Sequence, residues 1–181
     1  MEVADQRLPT TSFEDLALPL FDQLYNFARW LTQDTSEAED LVQETYAKAL
    51  RGFGSFQAGT NFRAWMYRIL KNSFLSSRTG LKSTVALDEE DQENVPVSQA
   101  ATPEAFVIEQ SNREVVQRAL EELPVHFREI LLLCEVEEMS YQEISEALSI
   151  PAGTVMSRLF RARKALRSLL QKKLQGGRHG V

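Results

Sequence analysis

Cysteine and histidine are nearly missing from this chain: Cys134, His126 and His179 are the only ones in 181 residues. A single cysteine excludes an internal disulfide, and one cysteine with two distant histidines does not make a zinc centre. Cys134 ends the apolar run Ile130-Leu131-Leu132-Leu133-Cys134 and reads as a buried, inert thiol. No apolar run approaches the roughly 18 residues of a membrane span. The N-terminus lacks the basic-then-apolar pattern of a signal peptide. A soluble, cytoplasmic protein without membrane insertion is expected. Strand-like alternation never lasts more than a few residues, and no internal repeat is visible. No P-loop, Gly-rich phosphate cradle or Ser/His/Asp arrangement appears, and no paired carboxylates stand with a His or Lys at useful spacing. An enzyme, a cofactor and a small-molecule substrate are therefore not expected.

What the chain does have is charge in blocks. The formal net charge is −6, but residues 51–82 carry six basic and no acidic side chains, and residues 140–181 carry eight and two. The other segments are acidic: −7 over 1–50, −7 over 83–110 and −4 over 111–139. Two basic segments kept apart by acidic ones point to two separate contacts with a polyanion. They also describe a chain able to cover its own basic surfaces when no nucleic acid is present.

The apolar periodicity is helical throughout, so the fold class is all-α. Residues 1–12 read as a disordered N-terminus. Leu16, Leu20, Leu24, Phe27 and Leu31 set a helix from Phe13 to about Leu31. A capping box at Ser36–Glu39 opens a second helix, with Val42, Tyr46, Ala49, Leu50 and Phe53 as its apolar stripe. A loop rich in breakers follows at 52–59, and Asn61 can cap a third helix over Phe62 to about Ser77. Residues 83–103 lose the periodicity and contain Asp88-Glu89-Glu90-Asp91, Pro96 and Pro103, which reads as a flexible acidic linker. Helices near 104–121, 125–137, 140–148 and 154–173 then form a second domain. The division is thus 13–82, a linker at 83–103, 104–175 and a tail at 176–181.

The last of these helices is basic without an acidic residue. Val155, Leu159, Ala162, Leu166 and Leu169 form its packing stripe, while Ser157, Phe160, Arg161 and Lys164 project from another face. Before it, a Ser140-Tyr141-Gln142-Glu143 capping box opens a short helix, and Ser149–Gly153 breaks it. Short helix, tight turn and long basic helix make a helix-turn-helix DNA reader. The helix from Phe62 interleaves Trp65, Tyr67 and Phe74 with Arg63, Arg68, Lys71 and Arg78. Arg68, Lys71 and Asn72 share one face, and Phe62, Trp65 and Ile69 another. Aromatics among cations suit single-stranded DNA, whose bases stack and whose backbone needs counter-charge. A plain core role fits Phe62 and Trp65 equally well.

Three motifs in order resemble the extracytoplasmic-function (ECF) sigma factors, small bacterial members of the sigma-70 family: Asp40-Leu41-Val42-Gln43-Glu44-Thr45, Asn61 to Asn72, and Gly153 to Arg163. The resemblance covers roughly residues 13–175. It implies a sigma-2 domain, a linker and a sigma-4 domain. It implies that Asp40, Leu41, Gln43 and Glu44 dock on the clamp coiled coil of the largest RNA polymerase subunit, with the flap region as a further polymerase contact. The −10 element would be melted and read by Trp65, Arg68, Lys71, Asn72, Ser73 and Arg78, with Asn72 lining a pocket for a flipped-out base and Lys71 and Ser73 flanking it. The −35 element would take Thr154, Met156, Ser157, Arg158, Phe160, Arg161, Arg163 and Lys164. Of these, Ser157, Phe160 and Arg161 match base-facing positions, and Arg158, Arg163 and Lys164 phosphate-holding ones. Met156 departs from the family, which often carries Arg or another polar residue there. A thioether cannot bond guanine as Arg does, which leaves a thymine methyl or no contact. The resemblance further implies promoter DNA and an anti-sigma factor as partners, the latter holding both domains, and a nucleoid-associated location.

Two other readings compete. A one-component helix-turn-helix regulator explains the C-terminus but leaves the acidic Asp40 helix and the basic aromatic helix without a task. An enzyme acting on nucleic acid lacks every catalytic constellation sought above.

Overall fold

The computed structural model describes residues 11–79 and 113–176. The expected disorder of the N-terminus over residues 1–10, the whole of the linker at 83–103, residues 104–112 of the helix expected near 104–121 and most of the tail lie outside the described residues.

The first helical segment is divided. Helix α1, Phe13–Ala17, is closed at its start by a capping box between Ser12 and Asp15. A 3₁₀ turn, Leu18–Leu20, carries Pro19 at its start, and α2 follows over Phe21–Thr32. Sequence spacing runs these together into one helix. The proline has no N–H for an i→i−4 bond, so the regular ladder is interrupted there. α2 ends at Gln33 in the left-handed region, φ 59°. α3, Thr35–Gly52, is capped by Asp34, whose side chain accepts from the Glu37 N–H at 2.9 Å. The Ser36–Glu39 capping box expected from sequence is therefore replaced by a cap two residues earlier. α4, Phe62–Thr79, starts as expected: Asn61 Oδ1 accepts from the Ala64 N–H at 2.9 Å.

In the second part, α5 spans Arg113–Glu122 and α6 Val125–Leu131. A π-helical segment, Leu132–Val136, continues α6. α7, Tyr141–Leu148, begins with the expected reciprocal capping box of Ser140 and Glu143. α8, Ala152–Gly176, starts directly after Pro151, two residues ahead of the expected start. Proline just before the first turn fits, because the first N–H groups have no intrahelical partner. Among the described residues there is no β-strand, and no helix is long and apolar enough to cross a membrane.

Leu24, Phe27, Leu31, Val42, Met66, Tyr67, Leu70 and Phe74 fill the space between α2, α3 and α4. Ile130, Leu133, Ile144, Leu148, Val155, Leu159 and Ala162 fill that between α6, α7 and α8. The two groups belong to one continuous apolar cluster, and α4 packs lengthwise on α7. Leu50, placed by its spacing in the buried stripe of α3, is instead 55% exposed.

The second part buries two charged neighbours. Arg128 donates to the carbonyls of Leu120, Glu121, Leu123 and Trp30 at 2.7–3.0 Å. Glu129 is 4% exposed, with Arg158 3.9 Å away. Burial outweighs the positive fields of Lys71 and Arg158 and pushes its carboxyl up to about 7. A raised folded pKa means that stability present in acid is lost as pH climbs from about 4.5 to about 7. Glu129→Gln cannot ionise. Its melting temperature relative to the parent should therefore be higher at pH 8 than at pH 5, by the equivalent of roughly 1–3 kcal/mol. Equal differences at the two pH values in thermal scans would mean that Glu129 titrates as an ordinary carboxylate.

Candidate nucleic-acid interface

α4 places Phe62 and Trp65 at the end nearest the 53–61 loop, with Tyr67 and Phe74 further along. Phe56, Phe62 and Trp65 form a mutual cluster with centroid separations of 5.1–5.5 Å, and Phe53 joins Phe13 at 5.4 Å. Phe62 is buried while Trp65 is half-exposed, so the first is core and the second reaches a surface. That surface is one wall of a cleft of about 580 Å³, lined by Phe56, Gly59, Thr60, Asn61, Trp65 and Arg68 from one side and by Gln142, Glu143 and Glu146 from the other. The spacing of glycines in 52–59 marks only a loop of breakers, and the cleft-lining role of Phe56 arises from the fold. The aromatic-glycine content of Phe56 to Gly59 was the available signal.

The six residues expected to read a melted strand do not share one environment. Arg68 and Lys71 lie on the face turned to α7: Arg68 Nε donates to the Glu146 carbonyl at 2.9 Å and Lys71 Nζ to the Leu148 carbonyl at 2.8 Å. Asn72 is exposed. Ser73, expected to flank a base pocket, is buried and accepts from Lys48 Nζ at 3.0 Å. Its position turns it toward α3, away from any ligand, because 73 falls on the stripe of Met66 and Leu70. Arg78 lies over the Phe74 ring at 5.1 Å and 3.5 Å from Glu37. Arg63 donates to the Glu137 carbonyl at 2.8 Å and pairs with its carboxylate at 2.9 Å. Beside them the Tyr67 hydroxyl is pushed well up, by burial first and by Glu137 second.

On the acidic helix α3, Asp40, Gln43 and Glu44 are exposed, with Glu44 paired to Lys48 at 2.6 Å. Leu41 is buried and points into the core, so its side chain cannot meet a partner as sequence reading expected. The exposed face continues through Ala47 to Leu50 and Arg51. Leu50 is thus an apolar member of that face which its spacing concealed.

α8 presents Met156 and Phe160, 41% and 56% exposed and one turn apart, on one outer face of its N-terminal half. Lys164 and Arg167 are exposed beyond them, and Thr154, Ser157 and Arg161 are half-exposed. Ser157 Oγ donates to the Thr154 carbonyl at 3.2 Å. Two cations expected on phosphates already have carboxylates: Arg158 lies beside buried Glu129, and Arg163 pairs with Glu135 at 2.6 Å. Arg163 Nη2 also lies 3.7 Å from Cys134 Sγ. That thiol is half-exposed, so the fully buried site expected from its apolar run is corrected. The π-helical segment turns it toward α8. Partial burial, with Glu135 beside it, still pushes its pKa up.

The sigma-70 region 2 model matches residues 19–84 and the sigma-70 region 4 model residues 113–166. The RNA polymerase sigma-H factor of Pseudomonas aeruginosa is 30% identical over 177 residues, covering 94% of this chain and 92% of its own length. The chain belongs to the extracytoplasmic-function sigma factors of the sigma-70 family. The ECF sigma factor SigE of Mycolicibacterium smegmatis is 37% identical over 163 residues, 89% of this sigma factor but 62% of that relative. The sigma factor RpoE of Bartonella quintana, solved with the anti-sigma factor NepR, superposes with a TM-score of 0.65 at 30% identity, covering 87% of this chain and 98% of that one. CnrH, solved with the cytosolic domain of CnrY, shares the fold at a TM-score of 0.62 and 23% identity, covering 88% of each chain.

Asn61 does two tasks in this sigma factor: it caps α4 and donates to Glu143 Oε1 at 2.9 Å. Asn61→Ala should lower stability by about 1–2 kcal/mol, a lost cap plus a lost cross-domain bond. Asn61→Asp should keep the cap but set a carboxylate against Glu143 in place of the bond, so urea titration should show a loss that is larger at low ionic strength than at high, unlike that of Asn61→Ala.

Proposed function

We propose that this sigma factor works as the promoter-specificity subunit of a bacterial RNA polymerase, with no catalytic activity of its own. The observation that carries the reading is the pairing of two basic helices, α4 and α8, in the order that matches sigma regions 2 and 4. In this reading residues 13–82 bind core polymerase and the −10 element, and residues 104–175 bind the −35 element and the polymerase flap.

The exposed face of α3, Asp40, Gln43, Glu44 and Leu50, is the polymerase-docking surface. An apolar residue beside acidic ones supports this. Charge steers the encounter and burial of Leu50 holds the complex. On α4 the strand-reading group is Trp65, Arg68, Lys71, Asn72 and Arg78, extended by Phe56 in the neighbouring cleft. Trp65 and Phe56 offer stacking faces, and the cations answer the phosphates. An anti-sigma partner, as bound by RpoE of Bartonella quintana, is proposed for this chain as well.

On α8, Met156 and Phe160 form an apolar tip flanked by Arg161, Lys164 and Arg167. Such a tip reads thymine methyl groups in the major groove, with Arg161 beside it toward base edges and Lys164 and Arg167 on phosphates. Arg158 and Arg163 act chiefly by holding α8 to Glu129 and Glu135.

Charge reversal at Asp40 and Glu44 together, or Leu50→Glu alone, should weaken capture of core polymerase by about tenfold or more. Circular dichroism should show an unchanged fold, and undiminished capture removes the docking assignment. At the other end, thymine replaced by deoxyuridine in the −35 duplex should weaken holoenzyme binding about fourfold, at ~0.8 kcal/mol for a buried methyl. In Met156→Ala, Phe160→Ala the loss should vanish, whereas Lys164→Ala should weaken all −35 variants alike. A duplex whose affinity ignores the methyl in both proteins rules the apolar reading out.

A further inference from the structure

Sulfur is scarce in this chain, and one sulfur atom is placed unlike the others. Met66 and Met139 are 0% and 4% exposed, closed inside the core. Met156 is 41% exposed and is the only exposed methionine among the described residues. It sits near the start of α8, with Phe160 one turn further along the same outer face. Its neighbour Val155 and then Leu159 take the inward positions and are buried. The packing of that stripe fixes Met156 outward, on the surface that meets the major groove. Cys134, the other sulfur outside the core, is half-exposed beside Arg163, and partial burial and Glu135 keep it in the thiol form. Peroxides react with the thiolate, so this thiol is slow. A thioether has no proton to lose, and its lone pair is nucleophilic whatever the pH.

We propose that Met156 is an oxidation site on the promoter-reading tip of α8, where conversion to the sulfoxide by a peroxide switches off the reading of thymine. The Met156 sulfur attacks one oxygen of hydrogen peroxide. An S–O bond forms, the O–O bond breaks, and the proton of the transferred oxygen passes to the departing hydroxide, which leaves as water. Sulfur loses two electrons and the peroxide gains them. The product is polar where the thioether was apolar. Against a thymine methyl the sulfoxide oxygen sheds its water and finds no donor, which opposes binding. Methionine sulfoxide is reducible by dedicated reductases, so the change is reversible. Met66 and Met139 are out of a peroxide's reach in the folded chain, and the fold therefore survives the reaction that alters the tip. DNA in the groove covers Met156, so the reaction belongs to the sigma factor before it engages a promoter.

The proposal rests on the reading of the α8 tip as a thymine-methyl reader, and its test separates the two. The full chain with Cys134→Ser is treated with hydrogen peroxide, and peptide mass mapping follows each methionine. Met156 should gain one oxygen atom well before Met66 and Met139, and in urea that difference should disappear. The treated chain is then joined to untreated core polymerase. Its affinity for a −35 duplex should fall about tenfold, as expected for an unpaired polar group taken out of water. Its preference for thymine over deoxyuridine should fall as well. Circular dichroism should be unchanged, and treatment with a methionine sulfoxide reductase should restore binding. Met156→Leu has no sulfur at this position and is compared with itself before and after peroxide. Its affinity should not respond, which removes Met1 as the cause. A Met156 that oxidises no faster than the core methionines overturns the proposal. So does a Met156 sulfoxide that binds the thymine duplex as the thioether does. Equal affinity of the untreated holoenzyme for thymine and deoxyuridine duplexes instead removes the tip reading on which the proposal stands.

Discussion

Backbone carbonyls at helix ends must find donors, and in this protein buried or half-buried cations supply them. Arg128 alone satisfies four, closing the end of α5 and the turn after it while crossing to Trp30 at the end of α2. Arg68 and Lys71 do the same for α7. A guanidinium has five donors in a fixed fork and cannot lose its charge in the interior, which suits it to several carbonyls at once. Short helices such as α6 and α7 have as many orphan carbonyls as long ones but fewer internal bonds. The packing of the two halves follows from where those donors stand.

The same accounting sorts the basic residues by task. A cation with a protein partner is held in place, and one at the surface is available to a polyanion. Arg158 and Arg163 belong to the first group, because Glu129 and Glu135 lie on the elements that α8 packs against. Lys164 and Arg167 are exposed on the outer side of α8. Arg68 and Lys71 stand between the groups, since their partners are carbonyls of another domain that a movement of that domain would remove. Net charge of +6 in either basic segment therefore overstates what DNA can meet at one time.

Much of the architecture could be read from local signals. The capping box at Ser140, the Asn61 cap and the stripe Val155, Leu159 and Ala162 all stand where periodicity and capping chemistry put them. Errors arose where two local rules competed. Asp34 and Ser36 are both good caps, and the structure uses the first. Leu50 fits an apolar stripe, but it lies at the rim of α3, one position beyond the packed Ala49. Ser73 looks like a polar member of a binding face, yet it follows the core positions Met66 and Leu70 by two turns and by one, and pairs with Lys48.

The sequence by itself determined an all-helical chain, its order of elements, the helix-turn-helix and the two basic helices, because each rests on spacing and caps within a few residues. It did not determine which charges are spent. Arg63 meets Glu137 across 74 positions, and Arg128 meets Trp30 across 98. A period of 3.6 residues tells which side chains share a face but not what lies opposite that face. Only tertiary packing brings α7 onto α4, and with it the carbonyls that Arg68 and Lys71 hold.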